Sequence, residues 1–227
     1  MGGLAHLSKD PELCEAFHSG EDVHVTTAAA VFGAPLEEVT EEKRQLAKAV
    51  NFGLMYGMTA RGLARRRGLS EGEAEAFMDA YFERFAGVQA FREELIRRAR
   101  EHGGAETLLG RQRPLPAINS DNWGARSEAE RRALNTPIQG SAADLIKLAM
   151  VRVHERLRAE GLQARMVLQV HDELLLEVPE DELKQVTALV AQEMEQVYPL
   201  DVPLTVDVKV GRNWLEMKEV ERADPAG

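Results

Sequence analysis

The sequence predicts an α+β fold in which a mainly helical region precedes an antiparallel β-hairpin, a packing helix and a further strand. Three observations carry this. Apolar residues recur at helical spacing through the N-terminal part, most clearly at Ala74, Phe77, Met78, Tyr81, Phe82 and Phe85. From Gln163 the period becomes extended, with β-rich runs at Ala164 to Val170 and Leu174 to Val178 parted by His171, Asp172 and Glu173. Helices first, then a strand pair, a helix and a strand, is an order that favours antiparallel pairing.

Taken in order, short helical patterns around Asp10 to Phe17 and from Asp22 to Phe32 end at Gly33 and Pro35. A helix is expected over 37–56, with Gly57 where a C-terminus favours a residue without a Cβ. Thr59 to Arg67 is a short arginine-rich helix stopped by Gly68. Ser70 and Glu73 form a capping box for the helix carrying the aromatic stripe. Another helix spans about Gly87 to Glu101, with Val88, Phe91, Leu95 and Ala99 inward, before Gly103 and Gly104. Glu106 to Pro116 mixes an extended piece with the tract Gly110-Arg111-Gln112-Arg113, whose arginines suit either backbone phosphates or a solvated turn. Ser127 and Glu130 read as a second capping box, and Pro137 as the break before a long helix from Ile138 to Glu160. Pro179 opens a helix to about Val197, and Val202 to Val210 alternates as a half-buried strand ended by Gly211.

The composition narrows the function classes. At 227 residues and 44% apolar the chain can bury a sizeable core, which excludes a disordered tail. A net charge of −10 argues against coating nucleic acid by charge alone. Between Lys43 and Arg113, however, fourteen Lys or Arg stand against nine Asp or Glu, so a basic tract lies within acidic flanks. The single cysteine, Cys14, excludes an intrachain disulfide and points to a reducing compartment. No apolar run is long enough to cross a membrane, and the N-terminus lacks a signal peptide's apolar core, so a cytoplasmic location is expected.

Two stretches carry chemistry. Arg44, Lys48, Phe52 and Tyr56 recur every four residues, so two cations and two aromatics share one side of a helix. Cations suit phosphate oxygens and aromatics suit a flat base. Gly53 within that helix costs roughly 1 kcal/mol relative to Ala, a broken local rule of the kind found at functional surfaces. A solvated face with two half-buried aromatics is the plainer alternative. At the hairpin tip, His171-Asp172-Glu173 places titratable groups where Gly or Asn is usual. Asp172 is either a turn former or a hard oxygen ligand for Mg²⁺, which binds through one or two carboxylates plus substrate phosphates. Phosphate-loop, dinucleotide, zinc-protease and nucleophile-elbow motifs are absent from the sequence.

Together these stretches resemble the bacterial family A DNA-directed DNA polymerases. The spacing of Arg44, Lys48, Phe52, Gly53, Tyr56 and Gly57 is similar to the family's motif B, and Leu168 to Glu173 (LQVHDE) to its motif C. The tract Asn135 to Gly140 is similar to the family segment that meets the DNA minor groove. The resemblance implies a fingers region over 1–133, including the nucleotide-binding helix 37–56, and the C-terminal part of a palm over 134–227. It implies that Arg44 and Lys48 hold the incoming triphosphate, Phe52 stacks on the nucleotide, Gly53 leaves room beside the base pair and Tyr56 sits where the templating base enters. Asp172 is the implied metal ligand with Glu173 close by, while His171, Gln139 and Asn135 are the implied DNA contacts. The catalytic set is then Asp172, Glu173, Lys48 and Arg44. The implied cofactor is Mg²⁺, with two ions in the intact family site, and the implied partners are primer-template DNA and dNTP, with no membrane.

The family's other metal-binding aspartate lies in a motif A just before the segment that Gly3 to Ser8 resembles, and these 227 residues begin after it. The expectation is a fragment inactive alone, with an N-terminal polymerase fragment as a candidate partner in trans. Two rival readings stand beside it: an inert structural remnant, and a non-catalytic DNA-binding protein using the Arg61 to Arg67 helix in a helix-turn-helix.

Overall fold

The computed structural model describes residues 1–20, 22–55 and 57–220. The chain forms two compact units: residues 1–144 with 200–203, and residues 145–199 with those from 204 onward.

The first unit begins with α1 (Gly2–Ser8), α2 (Pro11–His18) and α3 (Val23–Phe32). Asp10 caps α2 by accepting the Leu13 N–H at 3.0 Å, and its other oxygen accepts the Gly87 N–H at 2.9 Å. One buried carboxylate therefore satisfies orphan donors of two helices. The expected helix over 37–56 starts later, as α4 (Glu41–Met55). Leu36–Glu38 form a separate 3-10 turn after Pro35, and the Thr40 hydroxyl oxygen accepts the Lys43 N–H at 3.3 Å, giving the helix its start. Tyr56 lies outside the described residues.

Next come α5 (Ala60–Arg67), α6 (Glu71–Arg84) and α7 (Ala86–His102). The Ser70–Glu73 capping box forms in both directions, Ser70 N–H to Glu73 at 2.8 Å and Glu73 N–H to Ser70 at 3.2 Å. Leu4, Leu13, Val50, Leu63, Tyr81 and Val88 pack into one core with Phe77 and Phe85, so the aromatic stripe of α6 is structural. β1 (Gly104–Glu106) and β2 (Gln112–Pro114) form an antiparallel hairpin after α7.

Helix α8 (Trp123–Asn135) corrects the second capping box. The helix starts four residues before Ser127, because the Asn122 side chain accepts the Ala125 N–H at 3.0 Å and Ser127 falls inside the helix. Pro137 does not break the chain either. Thr136–Gly140 form a π-helical turn that runs straight into α9 (Ser141–Ala159), and the wider turn accommodates a residue with no N–H to donate.

The second unit contains the body of α9, from Leu145 onward, and a hairpin of β3 (Arg165–Val170) and β4 (Glu173–Glu177). Its core joins Val153 and Leu157 to Ala164, Val186 and Leu189. The packing helix α10 (Leu183–Glu195) starts after a turn in which Glu182 N–H reaches the Pro179 carbonyl at 3.0 Å, so Pro179 precedes the helix instead of opening it. The expected strand over 202–210 survives only as β5 (Lys209–Val210), paired with β6 (Lys218–Glu219). Its start is diverted: Val202 is buried in the first unit's core, and the backbone N–H of Asp201 donates to His6 Nδ1 at 3.1 Å. Pro203 brings no N–H, and alternation makes a strand only where neighbouring backbone is available. The three hairpin-type pairs are separate two-stranded sheets, so the class is α+β as expected.

Candidate functional site

In the first unit, α3 packs beside α4, and together they assemble a cationic and aromatic surface. Arg44 is half-buried and directs two nitrogens onto one oxygen of Asp22, Nε at 3.0 Å and Nη2 at 2.7 Å, while Nη1 reaches Glu41 at 3.2 Å. Asp22 also caps α3, accepting the N–H groups of His24 at 2.8 Å and Val25 at 3.3 Å. Burial opposes ionisation of Asp22, but Arg44 and the two N–H groups outweigh it and hold the carboxyl below its ordinary value. The same pairing raises Arg44 above its ordinary value.

Lys48, one turn on, is half-buried and makes no ion pair among the described residues. Phe52 follows, 39% exposed, with its ring 5.7 Å from that of His24. A partly exposed ring between cations and an imidazole is available for stacking. Behind it Asn51 is fully buried, and its amide nitrogen donates to Thr27 Oγ1 at 3.0 Å and faces His24 Nδ1 at 3.1 Å. That donor makes Nδ1 the acceptor, so neutral His24 carries its proton on Nε2. Burial lowers the His24 pKa below 6.5; Asp22 opposes this, and the Lys48 and Arg44 cations reinforce it. Gly53 is buried, and a Cβ there would stand 2.5 Å from Met58 Cε, so the missing side chain lets Met58 close on the helix.

His24 and Asp22 are the residues that sequence reasoning missed. Their only signal was local, a capping Asp followed two residues later by His at a helix start, and nothing in the sequence joins that start to Arg44.

Elsewhere in the same unit, the minor-groove candidates lie at the α8 end and the π turn. Gln139 is exposed, and Asn135 Oδ1 is a buried acceptor with no hydrogen-bond partner among the described residues. Of the Gly110–Arg113 tract, Arg111 turns onto Asp144 while Arg113 is exposed on β2. In α5, Arg67 donates to the Gln45 carbonyl at 2.6 Å and Arg61 pairs with Glu71 at 3.4 Å. The helix-turn-helix reading thereby loses two of its four arginines to internal contacts.

In the second unit, Val170 pairs with Glu173, so His171 and Asp172 are a two-residue turn and Glu173 is the first residue of β4. His171 has φ 54°, a left-handed conformation that costs a non-glycine residue roughly 1–2 kcal/mol. Its carbonyl accepts from Gln169 Nε2 at 2.5 Å, which helps hold that conformation. Asp172 and Glu173 are exposed and border a groove whose apolar walls include Leu174, Val190, Val206 and Val208. Two adjacent exposed carboxylates are hard oxygen donors of the type Mg²⁺ takes, and the pair leaves further positions for substrate oxygens. Among the described residues no group of three or more acidic, His or Cys side chains gathers to hold a metal.

Comparison with known proteins gives a consistent answer. The model of DNA polymerase family A matches residues 2–216. DNA polymerase I of Streptococcus pneumoniae serotype 4 is 50% identical over 216 residues, covering 95% of this chain and 25% of that protein. DNA polymerase I of Mycobacterium tuberculosis H37Rv is 51% identical over 211 residues, covering 93% and 23%. The chain thus spans about a quarter of the length of these curated relatives. A solved structure, the POL domain of Pol1 from M. smegmatis in complex with DNA primer-template and dNTP, aligns with TM-score 0.91 and 48% identity over 94% of this chain and 38% of that one. With the α4 face, the π turn and the acidic hairpin tip all falling inside the matched residues, the chain belongs to DNA polymerase family A.

Proposed function

We propose that this chain forms the fingers (1–133) and C-terminal palm (134–227) of a DNA-directed DNA polymerase, and contributes the nucleotide-binding helix and one carboxylate pair of its catalytic centre. The observation that carries the reading is the α4 face, where Arg44, Lys48 and Phe52 follow one another at single turns beside His24. The similarity to a polymerase domain solved with primer-template and dNTP supports it.

In this reading Lys48 and Arg44 neutralise the triphosphate, and they offset negative charge that develops on the pyrophosphate as the primer 3′-hydroxyl attacks the α-phosphorus. Phe52 stacks on the base, Gly53 leaves space beside the pair, and Tyr56 borders the templating position. His24, neutral and protonated at Nε2, is a hydrogen-bond donor next to the same phosphates. Asn135, Gln139 and His171 face the minor groove and primer end, where acceptors occupy similar positions for all base pairs and so report pairing geometry. Asp172, with Glu173 beside it, would hold Mg²⁺, which would supply charge neutralisation at the reacting phosphate and activation of the attacking hydroxyl. A cytoplasmic location belongs to the same proposal; no helix among the described residues is long and apolar enough to cross a membrane.

The test is titration of the purified chain with a fluorescent dNTP with and without Mg²⁺. Binding is expected to require Mg²⁺ and to weaken about tenfold in Lys48→Ala, the loss of one charge-assisted contact. Equal affinities for wild type and Lys48→Ala would overturn the α4 assignment. Primer extension by these 227 residues alone is expected at trace level, because no residue among them matches the family's motif A aspartate. Addition of an N-terminal polymerase fragment in trans is expected to raise it. Robust extension by the chain alone that Asp172→Ala abolishes would refute that part of the reading.

A further inference from the structure

Asp144 is a charged residue that the proposed chemistry does not use. Its side chain is 3% exposed, yet it has two specific partners from one loop. Thr107 donates its hydroxyl to Oδ2 at 2.5 Å, and the Arg111 guanidinium closes on Oδ1. The same Thr107 oxygen accepts the Arg111 backbone N–H at 3.1 Å, and the Thr107 backbone N–H donates to the Arg111 carbonyl at 2.9 Å. The β1–β2 loop is thus tied around one buried carboxylate.

That loop touches the π turn at two further points. Ser141 donates its hydroxyl to the Pro137 carbonyl and accepts the Leu108 N–H at 2.8 Å. Gly140 lies against Thr107 so closely that a Cβ would stand 2.5 Å from Thr107 Cγ2. A π turn interrupts the i→i+4 hydrogen-bond register of the helices on either side, and here contacts from Leu108, Thr107 and Ser141 brace it. Gln139 projects from this turn, between the prolyl carbonyl that Ser141 anchors and the glycine that Thr107 covers.

We propose that Asp144 is a positioning residue: through Thr107 and Arg111 it clamps the β1–β2 loop on the Thr136–Gly140 turn and so fixes Gln139 for its minor-groove contact. This rests on the reading of Gln139 given above. It also reassigns Arg111, whose charge serves Asp144 and not a phosphate. A carboxylate this buried needs that cation, since an unpaired buried charge is strongly destabilising.

The test is primer-template affinity of the full chain, by anisotropy, with guanine or 3-deazaguanine at the primer terminus; the analogue lacks the N3 acceptor. The wild type is expected to bind the analogue about tenfold more weakly, the worth of one positioned hydrogen bond. Gln139→Ala, Asp144→Asn and the isosteric Thr107→Val are expected to cut that ratio below about threefold, and Thr107→Ser, which keeps the hydroxyl, to restore it. Asp144→Asn combined with Gln139→Ala is expected to match Gln139→Ala alone. If Asp144→Asn and Thr107→Val bind both DNAs more weakly but keep the tenfold ratio, Asp144 is structural and the proposal fails. A wild type that binds primer-template without distinguishing the analogue overturns the reading of Gln139, and this inference with it.

Discussion

Arg44 and Asp22 form an ion pair in which two guanidinium nitrogens, 3.0 and 2.7 Å away, share one carboxylate oxygen. The carboxylate occupies the guanidinium that the triphosphate is proposed to use. Asp22 therefore both orients Arg44 and competes with the ligand for it.

Removing that competitor gives the first prediction. Asp22→Asn retains a side-chain oxygen to cap α3 but surrenders the charge, so dNTP affinity in a Mg²⁺ titration is expected to rise severalfold. The cost in stability is small, roughly 0–1 kcal/mol, because both partners are partly exposed. Since the folded-state pKa of Asp22 is lowered, its stabilising share is present above the unfolded value and lost as pH falls through the folded one. Acid titrations of stability should show a shallower fall in Asp22→Asn. Unchanged or weaker dNTP binding would count against the competition.

His24 sets a second pH dependence, of a different kind. Its pKa lies below 6.5 in the folded chain, so the unfolded chain takes up a proton first as pH drops. The stability tied to neutral His24 is complete above about 6.5 and diminishes below it, down to the lowered folded value. Urea melts from pH 8 to pH 5 are expected to show this decline in the wild type and a smaller one in His24→Gln.

Two glycines in helix first turns should respond oppositely to alanine. At Gly87 a Cβ would meet Asp10 Cα at 2.9 Å and Oδ2 at 2.8 Å, backbone and a cap that cannot withdraw, so Gly87→Ala is expected to cost about 1–3 kcal/mol. At Gly72 nothing lies within 4 Å, and Gly72→Ala should stabilise by roughly 0.5–1 kcal/mol through helix propensity and a less entropic unfolded chain. Chemical denaturation of the two variants checks both signs.

The strained hairpin tip supplies a fourth. His171→Gly relieves the left-handed φ of 54° and is expected to raise stability by roughly 0.5–1 kcal/mol. Primer-template affinity should fall at the same time, since the imidazole is a proposed primer-end contact. A variant that gains stability with no loss of DNA binding would show the strain to be unrelated to that contact.

Much of the helical architecture can be read along the chain. The α6 stripe, the Ser70–Glu73 box, the Gly68 and Gly103 terminators and the β3–β4 hairpin all depend on neighbours within a few residues, and each formed where local chemistry put it. The structure departs from local chemistry where two local signals compete or where a distant partner is needed. Asn122 displaced Ser127 as a cap, Pro137 was absorbed into a π turn, and the alternation after Val202 found a neighbouring strand only at its end.

The spacing of Arg44, Lys48 and Phe52 on one side of a helix follows from 3.6 residues per turn, and no tertiary contact was needed to infer it. That Asp22 would hold Arg44, that His24 would lie against Phe52, or that Asp144 would gather Thr107 and Arg111 was not inferable from spacing. These pairs lie 22, 28 and 33 to 37 positions apart. Only packing brings such groups within a few ångströms, and at that range burial and charge, which no helix carries in its periodicity, decide protonation and orientation.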